Sequence, residues 1–279
     1  MRSQSVVMDA PRPRAIDIDH GSLFDSSAAA YERFRPAYPQ RVIDAMIGLS
    51  NLTPASRLLE IGCGTGKATF LLASRGYAID CLDPGRRLIA LAEMKCGKWP
   101  RVSFTTGRFE EIGFQPLSYD LVFSAQAFHW IDPAVRLRKA ARLLHGGGSL
   151  ALLYNYPGQP TGDEVLERLS KLIQRESGGQ LSAWRYEDEV KGWLGEIRES
   201  SLFKDLTISR HRWQERYSAA EYVGLFSTFS DFLSLPKPLQ GHVAKCIQQV
   251  ITRCGGHVLR PYDCILIHAR RRASRCGKG

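Results

Sequence analysis

The sequence predicts an α/β fold in which a parallel sheet is covered by helices on both faces. Three observations carry this. Five short apolar runs alternate with stretches of helical period between residues 57 and 154. The runs are short and mainly apolar, as strands buried on both faces are. The first run also turns into its helix through a glycine-rich loop. With 279 residues, 44% of them hydrophobic, the chain can bury a core without disulfides or metals. Collagen-like, disordered and small disulfide-framework proteins are excluded on the same composition.

The elements follow in order. The first 22 residues mix Arg2, Arg12, Arg14, Asp9, Asp17 and Asp19 with two prolines and hold no signal-peptide apolar stretch. No apolar run reaches the ~20 residues that a bilayer requires, so no membrane association is expected. Ala28 to Arg35, preceded by Asp25-Ser26-Ser27, reads as a short helix with Tyr31 and Phe34 on one side, stopped by Pro36 and Pro39. Val42 to Leu49 is a second, with Val42, Ala45, Met46 and Leu49 on one face. Strand one is Arg57 to Ile61, and its helix, Ala68 to Arg75, closes at Gly76. Tyr77 to Leu82, Val102 to Thr105, Tyr119 to Ser124 and Ser149 to Tyr154 are the next four strands, with a helix at Arg86 to Lys95. Asp132-Pro133 opens the helix before strand five, Asp132 as N-cap and Pro133 at the first helical position. That helix is expected to end at Gly146-Gly147-Gly148.

After Pro157 the pattern changes. Two amphipathic helices, Thr161 to Glu176 and Tyr186 to Ser200, follow each other with no strand between them. Such an insertion would cap a site at the C-terminal edge of the sheet. Leu206 to Tyr217 and Val258 to Ala269 read as long strands that could pair antiparallel at one edge, and Ser218 to Glu221 matches a capping box. The expected organisation is a leader (1–22), a core (23–155), a helical cap (156–203), C-terminal strands and a helix completing the sheet (204–270), and a basic tail (271–279).

Seven cysteines, with no CxxC pair and no zinc-finger spacing, fit a reducing compartment and a cytoplasmic home, and no metal is expected. The net charge of +10 favours anionic neighbours, substrates or nucleic acid, as a field effect only. Part of it sits in the tail with Arg270, Arg271, Arg272, Arg275 and Lys278.

The strongest chemical signal is Leu58-Leu-Glu60-Ile-Gly62-Cys63-Gly64-Thr-Gly66, where the first strand becomes the first helix. Glycines there let the backbone approach a ligand and take turn geometry that a side chain blocks. The GxGxG spacing differs from the GxGxxG of dinucleotide binders, and Glu60 beside the loop suits a cationic ligand end and repels a pyrophosphate. A Walker A loop is excluded, since Ala68 follows Lys67 where Ser or Thr would hold magnesium. About 20 residues on, Asp83-Pro84-Gly85 ends strand two, where an acid can accept both ribose hydroxyls. In the turn after strand three, Gly107-Arg108-Phe109-Glu110-Glu111, Phe109 is placed to pack on an adenine and a neighbouring acid to accept its amino group.

These motifs, with Tyr119-Asp-Leu-Val-Phe-Ser-Ala-Gln, resemble the class I S-adenosylmethionine-dependent methyltransferases over about residues 24 to 155. Phe24, Tyr31-Glu-Arg33-Phe-Arg35-Pro36-Ala-Tyr38-Pro39, Gln126-Ala-Phe128-His129-Trp130 and the distal Phe226-Ser-Thr228-Phe-Ser230 resemble the trans-aconitate-methyltransferase-like small-molecule branch. The resemblance implies a seven-stranded, mostly parallel Rossmann-like sheet with an antiparallel last strand, and S-adenosyl-L-methionine as cofactor. It also implies that Glu60, Gly62, Cys63, Gly64 and Gly66 line the methionine end and that Asp83 and Pro84 meet the ribose. Phe109 and Glu110 would then meet the adenine, with Ala125 and Gln126 beneath the cofactor. The polar-Pro-Pro-aromatic tetrad of base-amino methyltransferases is replaced by Ser124-Ala-Gln-Ala, which argues against nucleic acid.

Methyl transfer from a sulfonium mainly requires alignment, since the leaving group is already activated. An ionised carboxylate acceptor needs no base. For a phenol, enol or amine, His129 is the candidate base, with Trp130 beside it. Tyr31, Arg35 and Tyr38 are expected to close over the site, with aromatic faces toward the sulfonium and Arg35 toward a substrate or cofactor carboxylate. The expected function is methyl transfer to a small molecule, carboxylate or hydroxyl. The alternatives are an RNA or protein methyltransferase and a non-catalytic cofactor binder.

Overall fold

A computed structural model describes residues 25, 27–158, 163–181 and 186–273. The expected leader, Phe24, the start of the helix at Thr161, and Arg275 and Lys278 of the tail lie outside the described residues. Two helices, α1 (Ala28–Phe34) and α2 (Gln40–Ser50), precede β1 (Arg57–Ile61). Then come α3 (Lys67–Ala73), β2 (Ala78–Asp83), α4 (Arg86–Cys96), β3 (Val102–Thr106), β4 (Tyr119–Ala125), α5 (Pro133–Leu143) and β5 (Leu144–Pro157). The C-terminal part holds α6 (Glu164–Glu176), α7 (Tyr186–Glu199), β6 (Phe203–Ser218), α8 (Ala219–Phe226), α9 (Ser230–Leu233), α10 (Lys237–Arg253) and β7 (His257–Arg271).

The seven strands form one sheet in the order β3-β2-β1-β4-β5-β7-β6. β1 to β5 pair in parallel, whereas β7 runs antiparallel to both β5 and β6. The antiparallel pair at the sheet edge and the antiparallel last strand therefore stand as expected.

Apolar side chains fill both faces. Leu58, Leu121, Phe123 and Leu153 pack under α2 and α3, and Leu59, Val122, Leu152 and Ile267 under α5 and α7. Each fully buried Leu or Ile contributes about 1.5–3 kcal/mol. α6, α8 and α10 form a third cluster with Tyr217, Val258 and Tyr262. The two helices after β5 thus go to different places. α7 lies on the α5 face, where Trp193 stacks on Tyr154 at 5.7 Å and Arg136 pairs with Glu196. α6 joins the helical layer instead.

Local chemistry sets the ends. Arg35 is extended (φ −70, ψ 136) because Pro36 follows it, so α1 stops a residue early. Asp132 caps α5 by accepting from the Ala134 N–H at 2.8 Å, as its position predicts. α5 ends at Leu143 and β5 starts at Leu144, so the three glycines belong to the strand. A Cβ on Gly148 would lie 3.1 Å from the carbonyls of Tyr119 and Asp120, at a shift in the β4–β5 register. A side chain there would press on those carbonyls, which glycine avoids. Asp25, read as leading into α1, instead caps α4 from a distance, accepting from Arg87 N at 2.5 Å and Leu88 N at 3.2 Å. Among the described residues no helix is long and apolar enough to cross a membrane.

Candidate functional site

The glycine loop is fixed from below and from the side. The Gly62 and Cys63 N–H groups both donate to the Leu82 carbonyl, at 2.8 and 3.1 Å. Gly62 has φ +71, and a Cβ there would stand 2.2 Å from that of Ala127, so position 62 admits no side chain. Gly64, at φ +55, faces open space toward Tyr31, whose Cε1 would be 4.0 Å from an added Cβ. Gly66 serves packing, since its added Cβ would meet Ala92 at 3.2 Å and Cys96 at 3.3 Å on α4. At the end of β2, Asp83 accepts the Gly64 N–H at 2.9 Å through Oδ2 and the Gly85 N–H at 2.8 Å through Oδ1. Burial raises its carboxyl pKa, and these two donors pull it back toward the charged form.

Glu60, on β1, is 1% exposed and accepts from Thr69 Oγ1 at 2.5 Å. Burial pushes its carboxyl up to about 8, with Thr69 opposing and the nearby Asp83 charge adding to the rise. A carboxyl held this way ionises readily when a cation arrives beside it.

The N-terminal segment closes the loop from above. Lys67 Nζ donates to the Glu32 carbonyl at 2.7 Å, and Lys67 and Lys95 both pair with the Glu32 carboxylate. Tyr31, Arg35, Pro36 and Tyr38 then form one wall of a cavity that opens to solvent. Glu60, Gly62, Cys63, Gly64, Thr65 and Lys67 form its floor, with Ala125 and Gln126 at the end of β4. Gln126 sits at φ +66, an uncommon conformation for a residue with a side chain, and its amide donates to the Asn155 carbonyl at 2.9 Å. Asn155 is fully engaged: its amide nitrogen donates to Ala37 O at 3.0 Å and its oxygen accepts from Trp213 Nε1 at 2.9 Å.

From Arg35 onward the wall is cationic and aromatic. Arg35 donates to Thr228 Oγ1 and to the Thr228 carbonyl, each at 2.8 Å, and lies 4.3 Å over the Phe229 ring. Arg260, on β7, is 8% exposed and surrounded by Tyr222, Phe226, Phe229 and Tyr262, with its guanidinium 5.3 to 5.8 Å from each ring. Its Nη1 donates to the Tyr222 hydroxyl at 3.2 Å. No carboxylate among the described residues forms an ion pair with either arginine.

Nine of the expected site residues therefore meet in one cavity: Tyr31, Arg35, Tyr38, Glu60, Gly62, Cys63, Gly64, Ala125 and Gln126. The others do not line it. Asp83 and Gly66 act behind the loop, and Pro84 is exposed. Phe109 is buried beneath Lys139, whose ammonium is 5.0 Å from its ring, and Glu110 accepts from Asp132 N at 2.9 Å at the start of α5. His129 packs its ring 4.4 Å from Trp130 and 6.1 Å from Tyr154, beside the 42% exposed Trp130. Sequence reading missed Arg260 and Tyr262. Their signal is slight: an arginine and a tyrosine flanking Pro261 near the start of the last strand.

Residues 59–152 match the family model of a methyltransferase domain. An uncharacterized methyltransferase of Mycobacterium tuberculosis is 36% identical over 161 residues, 57% of this chain and 61% of that protein. The chain thus spans about 61% of the length of its mycobacterial relatives. Another uncharacterized methyltransferase, from Schizosaccharomyces pombe, is 28% identical over 217 residues, 77% of this chain and 82% of the relative. A malonyl-acyl-carrier-protein O-methyltransferase of Ilyobacter polytropus is 30% identical over 152 residues, 53% of this chain and 56% of its own. Among solved structures, phosphoethanolamine N-methyltransferase 2 of Haemonchus contortus aligns with a TM-score of 0.54 and 17% identity. That structure holds S-adenosylhomocysteine and phosphomonomethylethanolamine, and the match covers 92% of this chain and 59% of it. At that identity the likeness speaks for the fold. Sheet order, glycine loop and domain match agree: residues 59–152 match a methyltransferase domain, and the seven-stranded sheet has the Rossmann-like fold of the class I S-adenosylmethionine-dependent methyltransferases. S-adenosylmethionine is the cofactor of that class.

Proposed function

We propose that this protein transfers the methyl group of S-adenosylmethionine to an anionic small molecule, with a carboxylate oxygen as the favoured acceptor. The observation that carries the reading is Arg260, a buried guanidinium set among four aromatic rings, with its ion-pairing capacity unspent. Burying a charge without a counter-ion is costly, and an anionic acceptor supplies that partner. The trans-aconitate-methyltransferase-like branch, resembled on sequence, is consistent with such an acceptor. The curated relative from Ilyobacter, named for an O-methyl transfer, also supports oxygen as the acceptor atom.

The residues fit the cofactor. Glu60 suits an α-ammonium group, Gly64 leaves the space a Cβ would fill, and Tyr31 brings its ring Cε1 beside that space. Asp83 holds the loop and is the proposed ribose partner, with Pro84 beside it. Phe109 and Glu110 are proposed for the adenine end on the sequence resemblance alone, since neither lines the cavity. When bound, the sulfonium supplies an electrophilic methyl group and departs as a neutral thioether. The protein's own task is then alignment and exclusion of water. Arg260 and Arg35 hold the acceptor carboxylate at one end of the cavity while Glu60 fixes the donor at the other. Tyr38 lines the same cavity. No proton has to move for a carboxylate acceptor, so His129, with Trp130, enters only if the acceptor is a hydroxyl.

The test is incubation with S-adenosylmethionine and a panel of small carboxylates, followed by mild alkali. A product whose methyl group is released by alkali is an ester and supports the reading. An alkali-stable product moves the acceptor to a hydroxyl or amine and restores His129 as the base. Calorimetry with S-adenosylhomocysteine and with NADH, expected to show binding of the first and none of the second, checks the cofactor independently.

A further inference from the structure

Away from the cavity, the end of α6 and the middle of α10 bring together three side chains of metal-ligand type. His242 and Cys246 are four residues apart on α10 and so share one face, and Glu176, the last residue of α6, reaches across to them. Glu176 Oε2 lies 2.6 Å from His242 Nε2, and Cys246 Sγ lies 3.7 Å from the same nitrogen. One donor atom from each residue falls within 4.8 Å of the other two. Arg175 engages the other carboxylate oxygen, Oε1, at 2.6 and 2.8 Å, which leaves Oε2 turned toward the pair. We propose that Glu176, His242 and Cys246 bind a divalent cation of the zinc class, with water in the fourth position, and that the ion fastens α6 to α10.

The donor set argues for the metal. One thiolate, one imidazole and one carboxylate suit Zn²⁺ or Co²⁺, whereas Ca²⁺ and Mg²⁺ take oxygen ligands almost exclusively. Tetrahedral ligands at about 2.0–2.3 Å from an ion stand roughly 3.3–3.6 Å from each other. The thiol and the imidazole, 3.7 Å apart, stand just outside that spacing. The carboxylate stands closer and would have to withdraw slightly, which a flexible side chain at a helix end can do. Glu176 and Cys246 are part-exposed and His242 is exposed, so an ion can enter from solvent. None of the three lines the cavity. The helices they would join pack through Leu169, Ile173, Val243 and Ile247, in the layer that also includes Leu225 and Phe229. The proposed ion would therefore brace the layer behind the acceptor wall without touching the acceptor.

The full chain, stripped with a chelator and titrated with Co²⁺, is expected to develop a thiolate-to-cobalt absorption band that Zn²⁺ abolishes by displacement. Cys246→Ser should lose the band, and both Cys246→Ser and His242→Ala should bind at least tenfold more weakly, with far-ultraviolet circular dichroism unchanged. Zn²⁺ should also raise the melting temperature of the wild type and leave that of Cys246→Ser where it was. Absence of the band overturns the site, as does a band that persists in Cys246→Ser, which would place the thiolate at another cysteine. If a variant proves unstable, Glu176→Gln provides the third arm, and unchanged cobalt affinity there would equally refute the triad.

Discussion

The carboxylate of Asp83 and the N–H of Gly64 are joined at 2.9 Å, so the tip of the second strand holds the loop that follows the first. The other Asp83 oxygen takes the Gly85 N–H at 2.8 Å and fixes the turn into α4. Cofactor affinity should therefore depend on Asp83 twice, through loop geometry and through the proposed ribose contact. Asp83→Ala is expected to cost about 1.5–3 kcal/mol in S-adenosylhomocysteine binding by calorimetry. An unchanged dissociation constant in a folded variant would remove Asp83 from the site.

Gly62 tests the loop from the other side. Gly62→Ala places a methyl group 2.2 Å from the Ala127 Cβ and asks an alanine to hold φ +71. A loss of about 1–3 kcal/mol in denaturant unfolding is expected, with cofactor binding weakened. Adding Ala127→Gly removes the clash and leaves the backbone strain, so the double variant should recover part of the stability. A single variant as stable as wild type would mean that the loop is not constrained at this point.

These local features explain what the sequence made legible. A positive φ at Gly62 or an N-cap at Asp132 is dictated within a few residues, and the strands from β1 to β5 announce themselves as apolar runs. The acceptor wall is different. Arg260 acquires its surroundings from Tyr222, Phe226, Phe229 and Tyr262, and Arg35 meets Thr228 across 193 positions. No period or spacing encodes such a meeting. α10 was legible yet unread: Gln240, Val243, Ile247 and Ile251 recur at helical spacing after Pro236 and Pro238 and are buried together. The start of β5 at Leu144 was hidden, because three consecutive glycines signal a turn unless a neighbouring strand's irregularity draws them into the sheet.

Glu60 predicts a proton signal. With its carboxyl near 8, the apo protein holds a proton there at pH 7, and a cationic ligand group should expel most of it. Calorimetric binding enthalpies of S-adenosylhomocysteine at pH 7 should therefore differ between buffers of different ionisation enthalpy, reporting release of up to about one proton. Glu60→Gln should abolish that difference and weaken binding. The stability effect has a definite sign. Between the ordinary value of 4.5 and about 8, the folded chain keeps a proton that the unfolded chain has lost. Stability accordingly falls as pH rises through that window, and Glu60→Gln should flatten the decline in melts recorded from pH 5 to 9. Buffer-independent enthalpies in the wild type would show that Glu60 is already ionised or lies away from the ligand.

Arg260 separates the acceptor from the cofactor. Its side chain is buried among rings with no carboxylate partner among the described residues, so the charge carries a desolvation cost that the rings and the Tyr222 hydroxyl offset and a bound anion would offset further. Arg260→Met keeps much of the volume and removes that cost. Thermal stability should hold or rise, and S-adenosylhomocysteine affinity should stay within about twofold. The acceptor KM should climb by roughly 10²- to 10³-fold, corresponding to about 2–5 kcal/mol for truncating one side of a buried charge pair. Arg260→Lys, with a compact charge and no planar fork, should fall between the two. If Arg260→Met loses cofactor affinity as severely as acceptor affinity, the arginine belongs to the donor end. If neither changes, the anion is held elsewhere and the carboxylate assignment loses its support.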